Sequence, residues 1–431
     1  SGESIYHQIH QHMDWIQSNP TASLEKAKQA HEIYKEKFLL ENQLLRLAEF
    51  HNHLSQYKNI FSIVKKHLKK ALIACISCLE CIGAIPCLSA DKFSMIQTPF
   101  SILANSDNYF SLINSVDFHP QKNLFCVTYT HNNKIILYTI DANNKPQLFQ
   151  SLTNPSAGLS EPQHAVFSPN GEKIVVANWT NQTLILYECE KNGFFSKKPL
   201  AIIPSPIALN HCKPHSLTFS PCGNYLAIAY GAASKYGRAI ALFHMAENIR
   251  KKVDLKLVSL LEETLGYFGI PKGVAFSPDG TCLLVSFTET NSLVIFNIDK
   301  NHSIDPVPRQ IIQGQDTRIS RPEDVKVSSD GNYCAITNSD QHTVTFYTFD
   351  KKSNLIMENT PCFILQNPEA ELHFPHGIAF SADGSFLAIT QFGSIYVTED
   401  GNILWNKRIA PSTAKVNLYS IGKKTISHTN I

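Results

Sequence analysis

Residues 163–179 read QHAVFSPNGEKIVVANW, and five other stretches of the chain repeat the pattern. They are NSVDFHPQKNLFCVTYT from Asn114, HSLTFSPCGNYLAIAYG from His215, KGVAFSPDGTCLLVSFT from Lys272, EDVKVSSDGNYCAITNS from Glu323 and HGIAFSADGSFLAITQF from His376. The anchors Phe118, Phe167, Phe219, Phe276, Val327 and Phe380 are 49, 52, 57, 51 and 53 residues apart. Each stretch reads as strand, tight turn, strand. In the S-P-D-G turn and its relatives, Pro presets φ, Asp or Asn bonds the local backbone and Gly takes the left-handed position. A third β-rich run follows: IILYTI at 135–140, LILYEC at 184–189, AIALFHM at 239–245, VIFNI at 294–298 and TVTFYTF at 343–349. A fourth, QLFQSL, PLAIIP, LKLVSLL, RQIIQG or CFILQ, precedes the next repeat. Four short strands in a period of about 50 residues make a β-propeller blade.

The fold expected is therefore mainly β, a six-bladed propeller over 91–431. The last blade is irregular. KVNLYSI at 415–421 matches its third strand, and IYVTEDGNILW at 395–405 reads as an inserted hairpin. KFSMIQ at 92–97 reads as an orphan fourth strand that closes the ring and leaves no free edge. Seven blades are the alternative, if 395–421 forms a blade of its own.

The pattern P-x-x-x-F-S-P-D-G-x-x-L-x-V-x-N, followed by a V-x-x-Y-like strand, resembles the YVTN/lactonase-like and WD40-like propeller superfamily over about 92–421. The best match is EPQHAVFSPNGEKIVVANWTNQTLILYE at 161–188. The resemblance implies a rigid ring. In lactonase-like relatives it also implies substrate binding by polar residues at the channel mouth.

Residues 1–90 lack the repeat and read as about three helices. Ile5, Ile9, Met13 and Ile16 line the first. Leu24, Ala27, His31, Tyr34, Phe38, Leu45 and Ala48 line the second, and Ile60, Val64, Leu68, Ala71, Cys75, Leu79 and Ile82 the third. Cys75, Cys78, Cys81 and Cys87 read as small buried residues and not as a metal cluster, because their spacing does not converge on a helix. Lys65, Lys66, Lys69 and Lys70 precede an apolar run, a pattern that suits weak peripheral contact with anionic lipid. His7, His10 and His12 read as a solvated helix face. Asn178 and Asn181 begin N-x-T sequences, which matter only in a secreted protein.

The composition bounds the partners. Of 431 residues, 43% are hydrophobic, and 38 Lys+Arg against 36 Asp+Glu give net +2, so bulk charge argues against nucleic acid. No apolar leader opens the sequence, and the 11 Cys read as mostly reduced thiols, both pointing to the cytoplasm. The bias to Asn, Lys, Ser and Ile suggests a bacterial protein, one that acts as an effector inside a host cell.

The channel mouth is the functional candidate. The residue four before each anchor starts the innermost strand there: Asn114, Gln163, His215, Lys272, Glu323 and His376, with His164 one step on. Pro precedes five of them and fixes the chain direction. Thr130, Asn178, Trp179, Tyr230, Phe287, Asn338 and Gln391 end the second strands on the same face. No nucleophile elbow, P-loop, H-E-x-x-H or dinucleotide fingerprint is present. The primary expectation is a non-enzymatic interaction scaffold that binds a protein partner, with no cofactor and no metal. A small-molecule ligand is a second use of the mouth. The alternative is a lactonase-like hydrolase in which His215, Lys272, Glu323 and His376 do acid–base work.

Overall fold

The computed structural model describes residues 98–104, 112–153, 156–204, 213–231, 238–247, 253–262, 269–392 and 414–421. The chain divides into two units, residues 1–92 and 93–431. The expected helices over 1–90 lie outside the described residues. So do the lysines at 65–70, the cysteines at 75–87, the histidines at 7–12 and the hairpin at 395–405.

The described residues form six antiparallel sheets, one per repeat. The innermost strands of blades 1 to 6 are Ile113–Phe118, Pro162–Phe167, Lys213–Phe219, Pro271–Phe276, Pro322–Val327 and Pro375–Phe380. Each pairs with the strand that follows its turn. In Leu124–Tyr129, Lys173–Asn178 and Cys282–Phe287 every residue is buried, because a neighbouring blade covers each face of the sheet. The outermost strands have one solvated side and alternate, as in Pro146–Thr153. Six apolar clusters fill the six junctions between blades, and all the Phe anchors lie in them.

The turns follow their chemistry. Gly171, Gly223, Gly280, Gly331 and Gly384 all have φ between +70° and +77°. Blade 1 lacks this glycine. There the His119 ring nitrogen Nδ1 accepts the N–H groups of Gln121 and Lys122 at 3.0 and 3.1 Å. A further bracket recurs on third strands: the hydroxyls of Tyr187, Tyr347 and Tyr419 donate to the carbonyls of Ala157, Thr317 and Ala370 in the segment leading into the same blade.

Ring closure occurs as expected in kind but at a different segment. Lys415–Ser420 is the third strand of blade 6, and Ser101–Ala104 pairs with it antiparallel as the fourth. The closing strand is thus SILA at 101–104, displaced from the expected 92–97, which lies outside the described residues. Phe100 explains the choice: its ring packs on Phe386 at 5.3 Å and joins the junction between blades 6 and 1. With blade 6 completed this way, the seven-blade alternative falls.

Candidate functional site at the channel mouth

One irregularity aims the site. In every blade the ladder between first and second strands shifts register at the residue four before the anchor, as between Pro162 and His164 or Pro322 and Val325. A bulge leaves its extra residue outside the pairing and re-aims its side chain. The re-aimed residues are Asn114, Gln163, His215, Lys272, Glu323 and His376.

Four of them converge. Lys272 Nζ is 3.1 Å from His215 Nε2 and 3.4 Å from Glu323 Oε2, and His376 Nε2 is 3.5 Å from the same oxygen. His215 and His376 come from opposite blades with ring centroids 5.5 Å apart. Asn114 Nδ2 donates to Gln163 Oε1, so these two amides hold each other. His164 lies in a tier beneath, where its Nε2 is 3.8 Å from Asp324 Oδ2 of the opposite blade. These side chains meet across the axis.

The partners define the protonation. His376 Nδ1 is 2.9 Å from the Asn114 carbonyl, which only accepts, so Nδ1 carries a proton. In neutral His376 the Nε2 lone pair therefore faces Glu323. Burial lowers the His376 pKa against the opposing pull of Glu323. His215 is held well below the usual histidine value by burial, and the Lys272 ammonium adds to this. Burial would raise Glu323, but Lys272, with Arg321 adding, outweighs it and holds the carboxyl below its ordinary value. The mouth at neutral pH thus presents one carboxylate, one ammonium and two neutral imidazoles. Asn114 Oδ1 and His215 Nδ1 are buried without a hydrogen-bond partner among the described residues, while Glu323 Oε2 has only its ion pair with Lys272. Buried polar atoms ordinarily have a hydrogen-bond partner, so the first two mark a place for water or a ligand.

The donor atoms of His215, Glu323 and His376 lie within 4.8 Å of one another, a spacing that suits a cation. Lys272 stands against two of the three, so the chain's own ammonium supplies that charge and the set does not fit a resident metal ion.

The second-strand residues separate by one position. Asn178 and Asn338 are fully buried, and each accepts a backbone N–H, from Ser160 at 3.2 Å and Ser320 at 3.1 Å. Gln391 does the same for His373. Tyr230 and Phe287 lie in the cores between blades. Thr130 Oγ1 donates to the Pro162 carbonyl at 2.9 Å. These six brace the blades; Asn178, Phe287, Asn338 and Gln391 are the last paired residues of their strands, which point between sheets. In blades 2, 5 and 6 the residue just beyond the last paired one rims the mouth. Trp179 meets the His215 ring edge at 6.0 Å, Phe392 stacks on His376 at 4.5 Å, and Ser339 Oγ is 3.5 Å from Glu323 Oε1. Phe392, Ser339, Asp324 and Lys326 were not singled out from sequence; alignment of the six repeats position by position carries the signal for the last two.

Residues 240–370 match the family described as "Lactonase, 7-bladed beta-propeller". A 6-phosphogluconolactonase of Buchnera aphidicola (strain APS) is 21% identical over 272 residues, covering 61% of this chain and 76% of the relative. A candidate 6-phosphogluconolactonase of Bacteroides fragilis superposes with TM-score 0.50 at 13% identity, over 76% of this chain and 98% of that one. A luciferin-regenerating enzyme superposes with TM-score 0.50 at 11% identity, over 75% and 96%. The chain is thus similar to lactonase-like propellers, as its repeats suggested, with six blades among the described residues where the matched family has seven. The match to the lactonase family and to a relative named 6-phosphogluconolactonase overturns the expectation of a non-enzymatic interaction scaffold. Among the described residues no helix is long and apolar enough to cross a membrane.

Proposed function

We propose that this chain hydrolyses a lactone at its channel mouth, with a phosphorylated sugar lactone, as named for the Buchnera relative, as the substrate class. The observation that carries the reading is the convergence of Lys272, Glu323, His376 and His215 from four blades at 3.1 to 3.5 Å.

The roles follow from the groups. His376 Nε2 and Glu323 Oε2 are both acceptors, and a water bound beside them donates to one or both. As its oxygen attacks the lactone carbonyl, its proton passes to His376 Nε2. The carbonyl oxygen becomes an oxyanion, and the Lys272 ammonium stabilises it. Collapse breaks the bond from the acyl carbon to the ring oxygen, which takes the proton back from His376 and leaves as a hydroxyl. The product is the open hydroxy acid. His215 accepts a hydrogen bond from Lys272 and aims the ammonium. At the rim, the Lys213 ammonium lies 4.9 Å over the Trp179 ring, a pairing suited to an anionic group on a substrate whose ring stacks on the indole.

The test is hydrolysis of 6-phosphoglucono-δ-lactone and of glucono-δ-lactone, corrected for spontaneous opening. Lys272→Met is expected to lower kcat about 10²- to 10³-fold, the usual loss of one oxyanion donor. A wild-type rate equal to the spontaneous rate for both lactones overturns the reading.

A further inference from the structure

Beneath the mouth the channel holds charge that the fold does not require. The residue after each mouth residue is Ser115, His164, Ser216, Gly273, Asp324 or Gly377. Two steps further it is Asp117, Val166, Thr218, Ala275, Lys326 or Ala379. Blades 3, 4 and 6 fill both positions with small neutral residues, so the architecture closes without ions there. Blade 5 carries Asp324 and Lys326, and blade 2 carries His164.

Asp324 makes a bracket that a neutral residue also makes. Its Oδ2 accepts the Ile378 N–H at 3.1 Å, and its own N–H donates to Thr337 Oγ1 at 2.9 Å. Thr337 Oγ1 in turn donates to the His376 carbonyl at 2.7 Å. His376 is thus gripped on both sides and tied to the neighbour of Glu323. In blade 1, Ser115 Oγ accepts the Ala165 N–H at 3.1 Å and Thr128 Oγ1 donates to the Gln163 carbonyl at 3.4 Å. A hydroxyl suffices for the grip. The Asp324 carboxylate is additional buried charge, with Lys326 Nζ at 3.5 Å and His164 Nε2 at 3.8 Å. Desolvating an ion pair costs more than burying a neutral pair of the same shape, so stability alone does not account for it. Lys326 Nζ and both His164 nitrogens have no hydrogen-bond partner among the described residues, as expected of a tier not optimised for packing.

We propose that Asp324, with Lys326 and His164, forms a positioning tier for the acid–base pair above it. Asp324 holds His376 at reacting distance from Glu323, and its charge keeps His376 ready to receive a proton. The inference rests on the hydrolytic reading of the mouth. His376 faces Glu323 and Asp324 from blade 5, Lys272 from blade 4, His215 from blade 3 and His164 from blade 2. Lys326 and Asp117 of blade 1 complete the charged groups of the tier. Burial lowers the His376 pKa and Asp324 opposes that, so removing the carboxylate lowers it further.

The test is Asp324→Ser in the full chain, which copies the blade 1 grip without the charge. Asp324→Ser/Lys326→Ala also removes the ammonium left unpaired and serves if the single variant fails to fold. Three measurements are made: kcat and KM against pH on the δ-lactone, ¹⁵N NMR titration of His376 in selectively labelled protein, and thermal melting. A folded variant is expected to keep KM, lose kcat roughly tenfold through misplacement of the base, and shift both the acid limb and the His376 titration to lower pH. An unchanged His376 titration in a folded variant overturns the proposal. If the wild type turns over no lactone, the hydrolytic reading fails by itself, and the His376 titration alone decides whether the tier tunes the mouth.

Discussion

At the scale of single residues, the mouth works through charge placed where burial makes it count. Burial would raise Glu323, but Lys272, with Arg321 adding, holds it ionised, and His376 is held neutral by burial, so the protonation state that the proposed hydrolysis needs persists below pH 6.5, the ordinary histidine value. The acid limb of kcat/KM is therefore expected below that pH, and His376→Gln is expected to cost about 10²- to 10⁴-fold, the usual worth of an acid–base group. A pH–rate profile of the two proteins checks both. Asp117 gives a stability test of opposite sign. Burial raises its pKa to about 7, so its proton is held in the folded state where the unfolded chain has lost it. Stability then falls as pH rises from the ordinary carboxyl value through about 7. Asp117→Asn keeps an oxygen to accept the Phe167 N–H and removes the ionisation. Its melting temperature relative to wild type is expected to be higher at pH 8 than at pH 5. The six mouth residues were legible in the sequence because each sits at a fixed offset from its Phe or Val anchor. Asn178, Asn338 and Gln391 were legible as polar but not as braces, because sequence alone does not say which residue ends the pairing and which passes beyond it.

At the scale of elements, the blades are held by repeated small devices. Gly377 and Gly273 let neighbouring innermost strands approach at the axis. A Cβ at Gly377 would stand 2.6 Å from the Asn114 carbonyl oxygen and 2.8 Å from Ser115 Cα, and one at Gly273 would stand 2.5 Å from Asp324 Cα. Backbone does not yield as a side-chain tip does, so Gly377→Ala is expected to cost about 1–3 kcal/mol, the range for overpacking, read from denaturant unfolding. Tyr347→Phe loses its bond to the Thr317 carbonyl and is expected to cost about 1 kcal/mol. The turn chemistry and the third-strand tyrosines follow from composition at fixed positions. The register bulges do not, since a bulge depends on how two strands meet.

At the scale of the whole molecule, closure depends on a strand remote in sequence. Ser101–Ala104 completes blade 6 against Lys415–Ser420. Deleting residues through 104 is expected to leave that edge bare, lower the melting temperature and promote self-association, which melting and size-exclusion chromatography would report. The sequence by itself determined the propeller, its blade boundaries and the set of residues at the mouth. Those properties are periodic, and a period is visible in one dimension. It placed the closing strand at 92–97 and favoured a scaffold, and both were corrected. Which strand closes the ring is decided by Phe100 reaching the last junction. Whether polar residues make a reactive cluster is decided by distances across the axis. His215 meets His376, and His164 meets Asp324, from opposite blades; no local pattern encodes a contact between residues more than 150 positions apart.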